Sequence, residues 1–274
     1  MNLFKIFKPK KSEDFLVLDF GRSSVKGIIF SPPIIKNYQV EKIERFGVFD
    51  GKDFELDVLK RAATKVIDGL GIKDEIARFS QIISFSPDIL KAEVFDLSYT
   101  REKDKEKIEK KEQEEIYQSI FKKAEEKLSK KFEKNLPGHF KILKKKILEE
   151  KISGYRVSSI SNFKGKNLNF RILVIFCPRD YLSFIDSLKI SLGLEKAKIY
   201  HIVEGLFDLM LNNSGIFVNI GAKNTLIVSF KKQLKFIEDF QIGGADFSKK
   251  ISETLGLKEV DVENLKKDFS KNKL

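Results

Sequence analysis

Two short stretches combine residue types at a spacing suited to gripping a phosphate. The first is Asp19-Phe20-Gly21-Arg22-Ser23-Ser24-Val25-Lys26. A carboxylate at the end of a strand can hold a hydrated magnesium ion, which assigns Asp19 that task through water. Gly21 lets the backbone come close to a phosphate, so that loop amides donate to its oxygens. Ser23 and Ser24 add hydroxyl donors, and Lys26 adds a positive charge if it points toward the ligand. The second stretch is Val218-Asn219-Ile220-Gly221-Ala222-Lys223-Asn224-Thr225. It has the same strand, glycine turn, strand layout and is expected to face the first across a cleft and grip the same phosphates. Each stretch alone also reads as an ordinary tight turn, and two of them in one chain say more than one.

The elements around these stretches set the scale. Phe15 to Asp19 is a short, nearly all-apolar run that reads as a buried strand, and Val25 to Phe30 returns as a second strand of a hairpin. Asp57 to Leu70 reads as a helix with Val58, Leu59, Ala62, Ala63, Val66 and Ile67 on one side. Gln81 to Phe85 is another strand. Between Tyr99 and Glu150 lysine and glutamate dominate, and Ile116, Ile120, Ala124, Leu128 and Phe132 recur every four residues, one apolar stripe on a charged helix. Pro137-Gly138 is expected to end it. Short strands with turns at Gly154 and Gly165 follow, then a helix from Asp180 to Leu192. Ile216 to Ile220 and Thr225 to Phe230 repeat the opening hairpin. Phe236 to Gln241 is a strand, Gly243-Gly244 opens a helix to Leu255, and a last helix runs from about Val260 to Phe269. Strands alternate with helices in both halves, which argues for an α/β architecture with a ligand cleft between two pseudo-repeats.

Composition narrows the function. The chain has 274 residues, 42% hydrophobic and 34% charged, a globular balance in a length of one or two domains. The net charge of +12 is spread among acidic neighbours rather than gathered in an arginine-rich stripe, so it reads as a solvated surface and nucleic acid is not expected as a partner. A single cysteine, Cys177, rules out a disulfide within one chain and fits a reducing cytoplasm. It follows an apolar run and reads as a small buried hydrophobe. His139 and His201 have no ligand-like spacing, so a metal–histidine site is not expected. No apolar run reaches the roughly 18 residues of a membrane helix, and a secretory signal is not expected. Leu3, Phe4, Ile6 and Phe7 among Lys5, Lys8, Lys10 and Lys11 allow either a weak peripheral membrane contact through Met1–Lys11 or a flexible basic terminus.

Taken together these residues resemble the actin-like ATPase superfamily, and within it the FtsA type of bacterial cell-division protein; the PilM type of pilus-assembly protein is a near relative. Asp19 to Lys26 resemble that family's first phosphate loop, and Val218 to Thr225 its second, where a DxGGGTT-like sequence is common. Asn219 replaces the usual acid there, and Ala222-Lys223 replace glycines. Gly243-Gly244-Ala245-Asp246-Phe247 resemble the glycine step that opens the next helix. Val262 to Lys266 resemble an AExxK-like segment on the adenosine side, with Glu263 toward ribose hydroxyls and Lys266 against the base. The resemblance implies ATP and magnesium as ligands, gripped by Asp19, Gly21, Ser23, Ser24, Lys26, Asn219, Gly221, Asn224, Thr225, Gly243, Gly244, Glu263 and Lys266. Arg22 and Lys223 stand where the family keeps small residues, and are expected to be exposed.

The implied architecture is an actin-like (ribonuclease H-like) α/β fold with an inserted α+β module of the SHS2 type. Residues 1–13 form a flexible basic terminus. Residues 14–81 and 177–198 form a 1A-like subdomain, 82–176 the insert, with Lys151 to Val157 resembling one of its strands, and 199–274 a 2A-like subdomain whose second half is incomplete. The family's C-terminal subdomain is expected to be missing. The implied function is a cytoplasmic division adaptor, at most a weak ATPase, that binds ATP–Mg, self-associates into filaments and links an FtsZ-like or other divisome protein to the membrane. A pilus-assembly adaptor, or a degenerate scaffold without nucleotide, are the alternatives. A small-molecule kinase of the same superfamily needs a general base at the acceptor hydroxyl, and no carboxylate clearly fills that role.

Overall fold

The structure is a computed structural model that describes residues 14–43, 56–132, 140–210 and 213–271. Met1–Lys11, Pro137-Gly138 and His139 lie outside them, as does the expectation of a membrane contact at the N-terminus. In chain order the elements are β1 (Phe15–Phe20), β2 (Ser24–Ser31), β3 (Ile34–Lys42), α1 (Leu56–Leu70), β4 (Ser80–Phe85), β5 (Lys91–Thr100) and α2 (Lys110–Phe132). There follow β6 (Phe140–Ile152), β7 (Tyr155–Val157), β8 (Asn167–Pro178), α3 (Asp180–Ser191), β9 (Lys198–Ile199) and α4 (Ile202–Leu209). The last are β10 (Ser214–Ile220), β11 (Thr225–Lys231), β12 (Leu234–Phe240), α5 (Gly244–Leu255) and α6 (Glu259–Ser270). They fall into two compact units, Met1–Ser86 with Ser183–Tyr200, and Pro87–Leu182 with His201–Leu274.

The first unit is a five-stranded sheet in the order β3-β2-β1-β4-β9. β1, β2 and β3 form an antiparallel meander, and β4 joins β1 in parallel, with Asp19 beside Ser84 in the register. Leu16, Leu18, Phe20, Val25 and Ile29 are buried on one face. The apolar side of α1 covers that face, and Gly27 makes room for it: a Cβ there would lie 2.3 Å from Val66. Ile82 to Phe85, expected to begin the insert, belong instead to this sheet, because β4 pairs with β1 along its whole length.

The second unit holds a four-stranded sheet in the order β5-β8-β6-β7 and a three-stranded meander, β10-β11-β12. Ile116, Ile120, Ala124 and Leu128 of α2 are fully buried against Leu168, Phe170, Ile172, Val174 and Phe176 of β8. Burying four such side chains contributes on the order of 5 kcal/mol of transfer free energy, at about 1.5–3 kcal/mol for each large one. Phe132 closes the stripe at its edge, its ring 5.1 Å from that of Phe176. Ser153 and Gly154, both with positive φ, make the two-residue turn between β6 and β7, the mirror-image type that suits strand twist. Arg101 is fully buried at the same end of this sheet, beside the start of β8. Its guanidinium holds Glu112 through two bonds of 2.7 and 2.8 Å and donates to the carbonyls of Gly165 at 3.1 Å and Glu106 at 3.2 Å.

The two meanders repeat one another at positions two hundred apart. Phe20 pairs with Val25 and Ile220 with Thr225. The register slips at Ile29/Phe30 in one and at Ser229/Phe230 in the other. At the same offset α1 of the first unit corresponds to α6 of the second.

Candidate functional site

The turn of the first hairpin is closed by the Gly21 amide, which donates to the Ser24 carbonyl at 3.0 Å. A Cβ on Gly21 would lie 3.1 Å from that oxygen, so a side chain there would press on the turn. The Ser23 carbonyl accepts from Ile43 at 2.9 Å, which anchors the loop to the end of β3. Asp19 leaves the sheet half-exposed. Its carboxylate accepts from the Ser84 hydroxyl at 2.7 Å and pairs with Lys26 at 3.5 Å. This placement fits a hydrated magnesium ion, since one carboxylate oxygen is fixed by Ser84 and the group still reaches solvent. Lys26 is engaged with Asp19 across the hairpin, and Arg22, expected to be exposed, is half-buried.

In the second hairpin the Gly221 amide donates to the Asn224 carbonyl at 2.8 Å, the same bond as in the first. Asn224 is buried, Asn219 is exposed, and Lys223 is half-buried rather than exposed. The Thr225 hydroxyl donates to the Ile242 carbonyl at 2.7 Å. The loop then meets the start of α5. Gly244 donates to the Gly221 carbonyl and Ala245 to the Ala222 carbonyl, each at 2.8 Å. A Cβ on Gly243 would sit 2.4 Å from the Ala222 oxygen, so this contact demands glycine. The amides of a helix's first turn are ready donors for an anion. Here two of them are spent on the loop, and the Asp246 carboxylate takes a third by accepting from the Gly243 amide at 2.8 Å. These bonds commit the amides at the start of α5 to the loop and to Asp246.

Glu263 and Lys266 of α6 come together with Gly244 and Ser248 of α5. The Lys266 ammonium donates to Glu263 at 2.8 Å, to the Ser248 hydroxyl at 2.6 Å and to the Gly244 carbonyl at 3.0 Å. Ser248 also donates to Glu263. Burial works to raise the Glu263 carboxyl, but the bonds from Lys266 and Ser248 and the lysine charge outweigh it and hold it below the usual range. Lys266 and Glu263 thus tie the two helices. Ser84, Asp246 and Ser248 were not among the expected residues. Ser84 is found only through the parallel register, and Ser248 only through the packing of α5 on α6.

Two other titratable groups serve structure. His201 is buried at the N-terminus of α4, where its Nδ1 accepts from the Val203 amide at 3.2 Å and its own amide donates to Glu204 at 3.1 Å. Burial lowers it to about 4, against the raising charge of Asp239. Cys177 is fully buried, as expected, and burial pushes its thiol up to about 12. Among the described residues no cluster of acids, histidines or cysteines could hold a metal ion by itself, and no helix is long and apolar enough to cross a membrane.

No protein-family model matches this sequence, and no curated protein does. Solved structures do match. A chain of the PilM–PilN type IV pilus biogenesis complex aligns over 95% of this chain and 71% of its own length, with a TM-score of 0.64 at 14% identity. This chain has the actin-like ATPase fold. Lower scores come from the ethanolamine utilization protein EutJ of Carboxydothermus hydrogenoformans, over 93% of this chain and 61% of that one (TM-score 0.48, 13% identity). A protein from Bacteroides thetaiotaomicron, described as having an actin-like ATPase fold and unknown function, aligns over 92% and 81% (TM-score 0.38, 11% identity). At such identities the likeness concerns the actin-like fold alone.

Proposed function

We propose that this chain is an actin-like adaptor that binds ATP–Mg and recruits a partner protein, in the manner of a pilus-assembly component. The observation that carries the nucleotide is the first hairpin, where Asp19 is fixed by Ser84 yet half-exposed beside the Gly21 turn. Asp19 would hold the hydrated magnesium ion, and the loop from Gly21 to Ser24, with Lys26, would meet the phosphates. ATP then acts as a conformational ligand, favouring the state it binds best. The pilus reading rests on the likeness to the PilM–PilN complex. A division adaptor of the FtsA type that binds an FtsZ-like protein shares the fold and is the competing assignment.

Titration calorimetry with ATP–Mg tests the nucleotide. Binding by the native chain, weakened at least about tenfold (about 1.4 kcal/mol) in Asp19→Ala, is the expected result. No binding by the native chain overturns it and leaves a scaffold that works without nucleotide, a second reading favoured by the neutral Asn219 and by the committed amides of Gly244 and Ala245. Peptides from a PilN-type tail and from an FtsZ-type tail then separate the partners: capture of the first supports the pilus assignment, and capture of the second alone replaces it with division.

A further inference from the structure

Ser86 stands directly after β4, two positions beyond the serine that fixes Asp19. Its amide donates to the Phe20 carbonyl at 3.2 Å, which continues the parallel ladder of β1 and β4 by one residue. The register of Asp19 with Ser84 and of Phe20 with Phe85 therefore sets Ser86 beside Gly21. Side chains alternate along a strand, so Ser84 and Ser86 share the face of Asp19. Phe85 points the other way, its ring stacked on that of Phe20 at 5.1 Å. The run Ser84-Phe85-Ser86 thus lines two hydroxyls along the end of the candidate site, the second level with the turn.

The two hydroxyls differ in what they do. Ser84 is spent on Asp19, to which it donates at 2.7 Å. The Ser86 Oγ is buried and has no hydrogen-bond partner among the described residues. A buried hydroxyl in that state has given up water and gained nothing in return, which folded chains generally avoid. The residue as a whole is only half-buried, and no bond holds the hydroxyl inward, so a change of χ1 rotamer is free to re-aim it. Gly21 beside it offers no substitute, because its amide is closed on the Ser24 carbonyl at 3.0 Å. A ligand oxygen that reaches this turn meets one backbone donor already taken and one side-chain donor still unspent.

We propose that Ser86 is a phosphate-binding residue: its hydroxyl turns from the inward position and donates to a phosphate oxygen of the nucleotide, beside the magnesium ion that Asp19 would hold. The inference rests on the nucleotide reading given above and adds to it the acceptor that the fold itself does not supply to Ser86. Titration calorimetry with ATP–Mg on the native chain, Ser86→Ala and Asp19→Ala, with a thermal melt of each in the absence of nucleotide, is the test. Ser86→Ala should bind at least about tenfold more weakly than the native chain, the loss of a hydrogen bond to a charged acceptor. Without nucleotide it should melt at or above the native temperature, since the change removes a buried hydroxyl that had no bond. A purely structural serine would move the melt and not the affinity. Native affinity in Ser86→Ala, with Asp19→Ala still weakened, overturns this inference and leaves the nucleotide reading standing. A lower melt of Ser86→Ala without nucleotide also overturns it, because the hydroxyl would then hold the fold. A native chain that binds no ATP–Mg removes both.

Discussion

Asp19 and Lys26 face each other across the first hairpin and form an ion pair of 3.5 Å, while the equivalent pair in the second hairpin is Asn219 and Leu226. One backbone plan therefore carries a charged, half-exposed pair in one place and none in the other. An ion pair open to solvent contributes less than about 1 kcal/mol. Asp19→Asn and Lys26→Met should each leave the melting temperature within a few degrees of the native value, and a double-mutant cycle should give a coupling below about 1 kcal/mol. A larger coupling would mean that the pair fixes the hairpin rather than standing ready for a ligand.

Gly243 and Ala222 are in direct contact at the start of α5, where a Cβ would meet the Ala222 oxygen at 2.4 Å and its carbonyl carbon at 2.5 Å. Those atoms are backbone and cannot swing aside. Gly243→Ala should therefore cost about 1–3 kcal/mol, the range of a forced overpacking, and should free the Gly244 and Ala245 amides from the Gly221–Ala222 loop. Gly244→Ala is the control, since its nearest neighbours would lie at 3.6 Å and 3.8 Å. Denaturant melts of the two variants, with amide exchange at Gly244 and Ala245, give the comparison. Equal losses would remove the steric account.

The difference between the two glycines shows where sequence reading ends. That both meanders turn at glycines follows from the chain alone, as does the stripe from Ile116 to Leu128, since each depends on neighbours within a turn or two. The strand Ile34–Lys42 is not legible: Ile34, Tyr38 and Val40 lie on its exposed side, which reverses the usual meaning of apolar alternation. β5 does carry a local signal, since Phe95, Leu97 and Tyr99 alternate with Asp96 and Ser98. The boundary at Ile82 depends on β4 finding β1 across the intervening α1, and the Ser248–Glu263–Lys266 network on two helices meeting. These are tertiary events with no local period. The residue types of the candidate site are thus visible in the sequence, while their partners are not.

His201 gives a prediction with a sign. Its folded value is lowered to about 4 by burial, below the ordinary 6.5, so the folded chain binds fewer protons there than the unfolded one. Stability from this group is present above about pH 6.5 and is lost as the pH falls toward about 4, where the loss levels off. The full swing is on the order of 3 kcal/mol, at about 1.4 kcal/mol per pH unit. His201→Asn keeps an acceptor for the Val203 amide and removes the titration. Its stability between pH 7 and pH 4 should fall less steeply than that of the native chain, by urea melts at each pH. Parallel curves would place the acid sensitivity in other groups.

Arg101 and Glu112 join the loop after β5 to the first turn of α2, and the arginine side chain is 0% exposed. Besides the two bonds to Glu112 it satisfies the carbonyls of Gly165 and Glu106, so one planar cation closes four contacts around the end of the sheet. Removing one partner of a buried pair costs about 3–5 kcal/mol, because what remains is a charge and two carbonyls without donors. Glu112 keeps some access to water, which places Arg101→Met at the lower end of that range. Arg101→Lys retains the charge but lacks the fork that reaches both oxygens of Glu112 and the two carbonyls together, so it should recover less than half of the loss. Chemical denaturation followed by tyrosine fluorescence, with Tyr99 and Tyr117 both packed on this core, reads the unit directly. Full recovery by lysine would show that charge alone, and not the geometry of the guanidinium, holds α2 to the loop.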